Sequence, residues 1–105
     1  MNQADFFKCL SDPTRLAILA LVLKQENICV CELTAQLELS QPKISRHLAL
    51  LRNLSILLDQ RKGQWIYYRL NPNLPQWAHA ILDVLKQQSE AFKTEKSSSV
   101  SYCCE

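Results

Sequence analysis

The side chains with the most chemistry in this 105-residue sequence are its five cysteines. Cys29 and Cys31 stand two residues apart in the segment NICVCELT, shortly after the apolar run from Ala17 to Leu23. Cys103 and Cys104 are adjacent in a polar tail, KTEKSSSVSYCCE, and Cys9 lies among Phe6, Phe7 and Leu10. An odd number of cysteines is no disulfide framework, and a reducing compartment would hold them as thiols. Cys-x-Cys is neither the Cys-x-x-Cys of a redox helix nor half of a zinc finger. Two uses remain for it: small core hydrophobes, or thiolates that grip a soft ion. Cys9 reads as a core residue. Adjacent cysteines in a polar tail suit no core, so Cys103 and Cys104 read as a second thiol pair for binding.

Other reactive constellations are missing. The sequence holds no paired carboxylates at catalytic spacing, no Ser-His-Asp set and no phosphate-cradling loop, and one glycine in the whole chain argues against such a loop. An enzyme is therefore not expected, and no catalytic cofactor. His79 and Asp83 stand at i, i+4, a geometry that could chelate zinc. The N-terminus lacks the pattern of a secretory signal and the longest apolar run is too short to span a bilayer, so the expected location is cytoplasmic with no membrane partner.

Charge is unevenly spread. The formal net charge is only +2, yet Gln41–Leu70 carries Lys43, Arg46, Arg52, Arg61, Lys62 and Arg69 against the single acid Asp59. That block is +5 and the remainder −3. A basic block inside a foldable segment, rather than in a tail, is the footprint of a nucleic-acid surface.

The elements that must position these residues follow from local signals. Asp12-Pro13 marks a helix start, with Leu16, Leu19, Ala20 and Leu23 recurring behind it at helical spacing. Phe6, Phe7 and Leu10 suggest a short helix before it. A second short helix covers Cys31 to Leu37, and Glu38-Leu39 is a tight break. Ser40 caps a third helix with Pro42 in its first turn, and Ile44, Leu48 and Leu51 point inward. Two helices joined by a few residues, the second basic at its start, form a helix-turn-helix pattern. Two short apolar and aromatic stretches around Lys62-Gly63 read as a hairpin whose turn takes the sole glycine, with Arg61 and Lys62 at its tip. Of Tyr67 and Tyr68, one should be core and one exposed. A last helix carries Trp77, Ala78, Ile81, Leu82 and Leu85 on one stripe. The expected fold is mainly α with a small β-hairpin, a winged helix-turn-helix over residues 1–92, followed by a mobile polar tail, 93–105. Apolar stripes on the first and last helices exceed one small core, so a homodimer through those helices is expected.

The run ICVCELTAQLELSQPKISRHLALLRN, with LSDPTRL before it and LLDQRKGQWIYYRLNP and LPQWA after it, closely resembles the ArsR/SmtB family of winged-helix metalloregulators. Within that family it is most like the arsenical-resistance repressors. The resemblance covers Phe6 to Leu85 and implies a homodimer with helix order α1-α2-α3-α4, a hairpin and α5. It implies a repressor that sits on double-stranded operator DNA at an imperfect palindrome and leaves when a thiophilic ion binds.

On this reading the DNA contacts come from Ser40, Gln41, Lys43, Ser45, Arg46 and His47 at the start of the recognition helix. Gln41 suits adenine, Arg46 guanine or phosphate, and the serines either; His47 could instead pack against a neighbour. Arg61, Lys62 and Gln64 in the wing would touch backbone or minor groove. The arsenic-sensing relatives carry three cysteines as C-V-C-D-L-C; Cys29 and Cys31 match the first two, and Thr34 stands at the third. Trivalent arsenic or antimony prefers three sulfurs, whereas a methylated arsenical needs two, so either another thiol joins or the effector differs. The candidate metal ligands are therefore Cys29, Cys31, Cys103 and Cys104, for arsenite, methylarsenite or antimonite. A cadmium- or lead-responsive repressor, with Cys9 joining, and a thiol-redox switch on the same fold are the alternatives. Residues two apart on a regular helix point to nearly opposite sides, so Cys29 and Cys31 share one ion only if that helix start is unwound.

Overall fold

Local capping chemistry sets the helix starts. In the computed structural model, which describes residues 1–91 with side chains to residue 88, Asn2 opens α1 (Gln3–Leu10), its Oδ1 accepting from the Asp5 N–H at 2.9 Å. Asp12 opens α2 (Pro13–Gln25): its Oδ2 accepts from the N–H groups of Thr14 at 2.9 Å and Arg15 at 3.0 Å. Pro13 takes the first helical position, where a missing N–H costs nothing. The helix ends at Glu26, φ 70°, the centre of a tight γ-turn in which Asn27 N–H donates to the Gln25 carbonyl at 2.8 Å.

That turn feeds an element the sequence did not announce. Ile28–Cys29 forms a two-residue strand, β1, and α3 (Val30–Leu37) follows without a linker. Two residues are too few for an alternation to be read. The left-handed Glu38, φ 57°, ends α3 at the expected break. Ser40 then caps α4 (Gln41–Asn53), its hydroxyl accepting from Lys43 N–H at 3.4 Å.

The hairpin consists of β2 (Leu57–Lys62) and β3 (Trp65–Leu70), antiparallel with Lys62 opposite Trp65 and Leu57 opposite Leu70. Its two-residue turn is Gly63-Gln64. Gly63 has φ +67° and Gln64 does not share a positive φ, the pattern of a type II′ turn with glycine first. β1 pairs along the other edge of β3, Ile28 with Tyr68 and Cys29 with Tyr67, giving strand order β1-β3-β2.

One core unites these pieces. Ile18, Leu19 and Val22 of α2, Leu33 of α3, and Ile44, Leu48 and Leu51 of α4 meet Phe6, Ile28, Leu57 and Tyr68. Tyr68 is thus the core tyrosine, and Tyr67 is half-buried. The last helix, α5 (Gln76–Ala91), buries Ala78 and Leu82 and leaves Trp77, Ile81 and Leu85 half-covered. Trp77 meets Phe6 edge-on at 5.1 Å between ring centroids, which joins α1 to α5. Among the described residues no helix is long and apolar enough to cross a membrane. The tail expected from residue 93, with Cys103 and Cys104, lies outside them.

A Cβ at Gly63 would meet nothing within 4 Å, so any cost of substitution there is backbone conformation alone. Gly63→Ala is expected to lower the unfolding free energy by about 1 kcal/mol, and Gly63→Asn by less, because asparagine tolerates left-handed φ. Urea unfolding checks this; an alanine variant as stable as the parent would contradict the turn geometry.

Candidate DNA interface and thiol site

The helix pair α3–α4 packs on α2 through apolar side chains. Gln41, Lys43, Ser45 and Arg46 are all exposed along the first turns of α4, and Ser40 stands exposed at its cap. No acid occupies the first turn of α4, so nothing offsets the positive end of its helix dipole. Arg61, Lys62 and Gln64 are exposed around the hairpin tip, with the Lys62 ammonium 5.5 Å from the centroid of the Tyr67 ring. Asp59, the lone acid of the basic block, is engaged by Arg52 at 3.6 Å. The structure thus forms two cationic projections, one helical and one from the wing.

His47 is placed differently from its neighbours. Its ring is half-buried against the start of α2, with Nδ1 3.1 Å from Arg15 Nη1 and 4.0 Å from Asp12 Oδ2. Arg15 Nε also donates to the Cys9 carbonyl at 2.7 Å. Desolvation, with the charges of Arg15, Arg46 and Lys43, pulls the His47 pKa below its ordinary value, against the raising effect of Asp12. The Asp12 carboxyl is held low chiefly by the hydrogen bond from Arg15 N–H.

Cys29 occupies a junction. It is the last residue of β1 and the N-cap of α3, with extended φ −90° and ψ 160°, and its side chain is 3% exposed. Its backbone N–H donates to Glu32 Oε1 at 3.3 Å, one half of a capping box with cysteine at the cap. Cys31 lies half-buried in the first turn. The unwinding that a shared ion requires is therefore already present at Cys29, which stands outside the helix. Thr34 sits one turn on, and its hydroxyl donates to the Cys31 carbonyl at 2.8 Å.

A family model described as bacterial regulatory protein, arsR family, matches residues 12–57. Over 93 residues the chain is 50% identical to the arsenic resistance transcriptional regulator ArsR2 of Pseudomonas putida, covering 89% of this chain and 81% of that protein. The chain belongs to the ArsR family. It is also 62% identical over 76 residues to ArsR1 of the same organism; that match covers 72% of this chain but 59% of ArsR1, under two thirds of its length. Among solved structures, the transcriptional repressor BigR from Xylella fastidiosa superposes with TM-score 0.72 at 29% identity, covering 89% of this chain and 88% of that one. The family consists of bacterial regulatory proteins, not enzymes.

As an ArsR-family chain it carries the winged helix-turn-helix expected, with β1 added to the hairpin. Cys9 is a core residue, and burial pushes its thiol pKa up. His79 Nε2 lies 3.2 Å from the Pro72 carbonyl, so a backbone contact already occupies it. Among the described residues no three His, Cys, Asp or Glu side chains are grouped to hold a metal ion. Sequence reasoning missed three positioning groups: Arg15, Glu32 and the strand Ile28–Cys29. For Glu32 a signal existed, a glutamate three residues after a possible cap; cysteine at that cap obscured it.

Linkage gives a sign. Because the folded state holds His47 below its ordinary pKa, the unfolded chain takes up that proton first as pH falls past about 6.5, and stability declines. The contribution of Asp12, present above about pH 4, is lost at still lower pH as its depressed folded value is passed. The urea midpoint is expected to fall between about pH 7.5 and 5.5, and His47→Asn to flatten that change. A parent midpoint that is constant over this interval would contradict the assignment.

Proposed function

We propose that this chain is a homodimeric transcriptional repressor that holds operator DNA through α4 and the wing, and releases it when a trivalent arsenical binds cysteine thiolates at the head of α3. The observation that carries this reading is the position of Cys29. It terminates a strand of the wing sheet and caps the first helix of the helix-turn-helix. The names of the relatives support an arsenic-responsive role, since ArsR1 and ArsR2 are arsenic resistance regulators.

DNA recognition on this reading uses Gln41 and Arg46 for base edges, with Ser40, Lys43 and Ser45 for phosphates or bases, and Arg61, Lys62 and Gln64 from the wing. Two-fold symmetry would set two α4 helices one helical turn apart on an imperfect palindrome. The dimer surface proposed is α1 with α5. Phe7 of α1 is 51% exposed and Val84 of α5 56%, and Phe7 lies beside the Phe6–Trp77 pair that joins these helices.

Effector capture would draw the sulfurs of Cys29 and Cys31 onto one ion. A two-thiol grip suits a methylated arsenical, while arsenite or antimonite would need a third sulfur, for which Cys103 and Cys104 are the candidates. Thr34 is not that ligand: a hydroxyl is a hard donor, and here it is turned to the Cys31 carbonyl. Moving the Cys29 backbone strains both of its attachments, the pairing with Tyr67 in the wing and the Glu32 contact that sets the start of α3. A typical coupling of about 1–3 kcal/mol would weaken operator binding some five- to 150-fold.

The test uses the full chain, fully reduced, and the tightest duplex selected from a random pool by the purified protein. Cys29→Ser with Cys31→Ser is expected to leave duplex binding intact and to abolish release by methylarsenite. The paired change Cys103→Ser and Cys104→Ser is expected to spare methylarsenite and weaken the response to arsenite. Release that survives all four substitutions would overturn the thiol mechanism. Separately, Lys43→Ala should lower the salt slope of duplex binding by roughly one per protomer, and an unchanged slope would remove Lys43 from the phosphate contacts.

A further inference from the structure

His47 lies on the helix that faces DNA, yet its ring is turned inward. Its side chain is 16% exposed, while Lys43, Ser45 and Arg46 beside it are open to solvent. One arginine joins three elements at this point: Arg15 Nε holds the Cys9 carbonyl at 2.7 Å, and its Nη1 reaches His47 Nδ1 at 3.1 Å. The end of α1, the start of α2 and the middle of α4 therefore meet on a single guanidinium. Arginine carries donors only, so the contact requires a lone pair on Nδ1, and hence a neutral imidazole with its proton on Nε2.

We propose that Arg15 and His47 form a positioning pair for operator recognition: neutral His47 seats α4 on the α1–α2 corner, and protonation of the ring unseats it. The proposal rests on operator binding through α4 and is independent of the thiol mechanism. A proton on Nδ1 would turn the acceptor into a donor facing another donor. Asp12 Oδ2, 4.0 Å away, would attract the imidazolium, but that oxygen already caps Thr14 and Arg15. Arg15 from α2 and Arg46 and Lys43 from its own helix oppose the charge. The other elements packed on α4 have their acids engaged elsewhere, Glu32 of α3 at the Cys29 N–H and Asp59 of β2 at Arg52.

The sign of the pH response separates this role from a direct DNA contact. A histidine on a phosphate strengthens binding when it becomes a cation, because it releases a further counterion. A positioning histidine that must be neutral weakens binding on acidification. The dissociation constant of the full chain for the selected duplex, at fixed salt, is expected to rise by at least about threefold between about pH 7.5 and 5.5, with a limit near tenfold per pH unit per proton. His47→Asn keeps an acceptor oxygen close to the Nδ1 position without titrating. It should bind within about threefold of the parent at about pH 7.5 and show no comparable fall in acid, whereas His47→Ala and Arg15→Met should each lose about tenfold. The 15N shifts of the parent imidazole in the duplex complex, which need no variant, should report the neutral Nε2–H tautomer.

Acid strengthening in the parent, an equal pH response in His47→Asn, a His47→Asn as weak as His47→Ala, or an imidazolium in the complex would each overturn the pair. Failure of the protein to select any duplex would instead overturn the operator-binding reading itself, and this proposal with it.

Discussion

The architecture around the proposed site depends on how the backbone turns at Cys29. A chain leaving a strand and entering a helix must change ψ at one residue, and the N–H groups freed there need acceptors. Cys29 makes that change while extended, paired with Tyr67 on one side and held by Glu32 on the other. The wing and the first helix of the helix-turn-helix therefore share a residue. On the proposed reading, a perturbation there reaches both DNA-facing parts, with no long chain of side chains required to carry it.

The recognition helix is fixed by two kinds of contact. Ile44, Leu48 and Leu51 bury it against the core, which sets its distance from the body of the protein. The polar corner of Asp12, Arg15 and His47 meets it at mid-length and, on the proposed account, sets its direction. Apolar packing alone is tolerant of small rotations, whereas a hydrogen bond to a planar guanidinium is not. The exposed cations beyond it, Lys43 and Arg46, then project from a helix end with no acid to neutralise them. On the proposed reading, affinity for a polyanion comes from that charge, and register from the helix that carries it.

Much of this was legible in the sequence because the signals are local. Asp12-Pro13 and Ser40 mark caps by side-chain chemistry, the Ile44-Leu48-Leu51 spacing marks a buried helix face, and the sole glycine marks a turn that needs positive φ. The elements missed are those made by distant pairing. β1 is a strand only because β3 lies beside it, and two residues cannot show a period. His47 could be read from its place in the helix as a DNA contact or as packed against a neighbour; that the neighbour is Arg15, 32 residues away in sequence, shows only in the fold. Cys29, extended, precedes α3 instead of lying on it, so the opposite-sides geometry of i, i+2 on a regular helix does not apply to it.

On the proposed account the thiols and the DNA surface compete through that shared residue, and reciprocity makes the claim measurable. If an arsenical weakens duplex binding, the duplex must weaken arsenical binding by the same factor. The decisive measurement is the affinity of the reduced full chain for methylarsenite, free and saturated with the selected duplex. The account predicts tighter binding to the free protein by roughly five- to 150-fold, with the difference lost in the Cys29→Ser, Cys31→Ser variant. Equal affinities in the two states would contradict it.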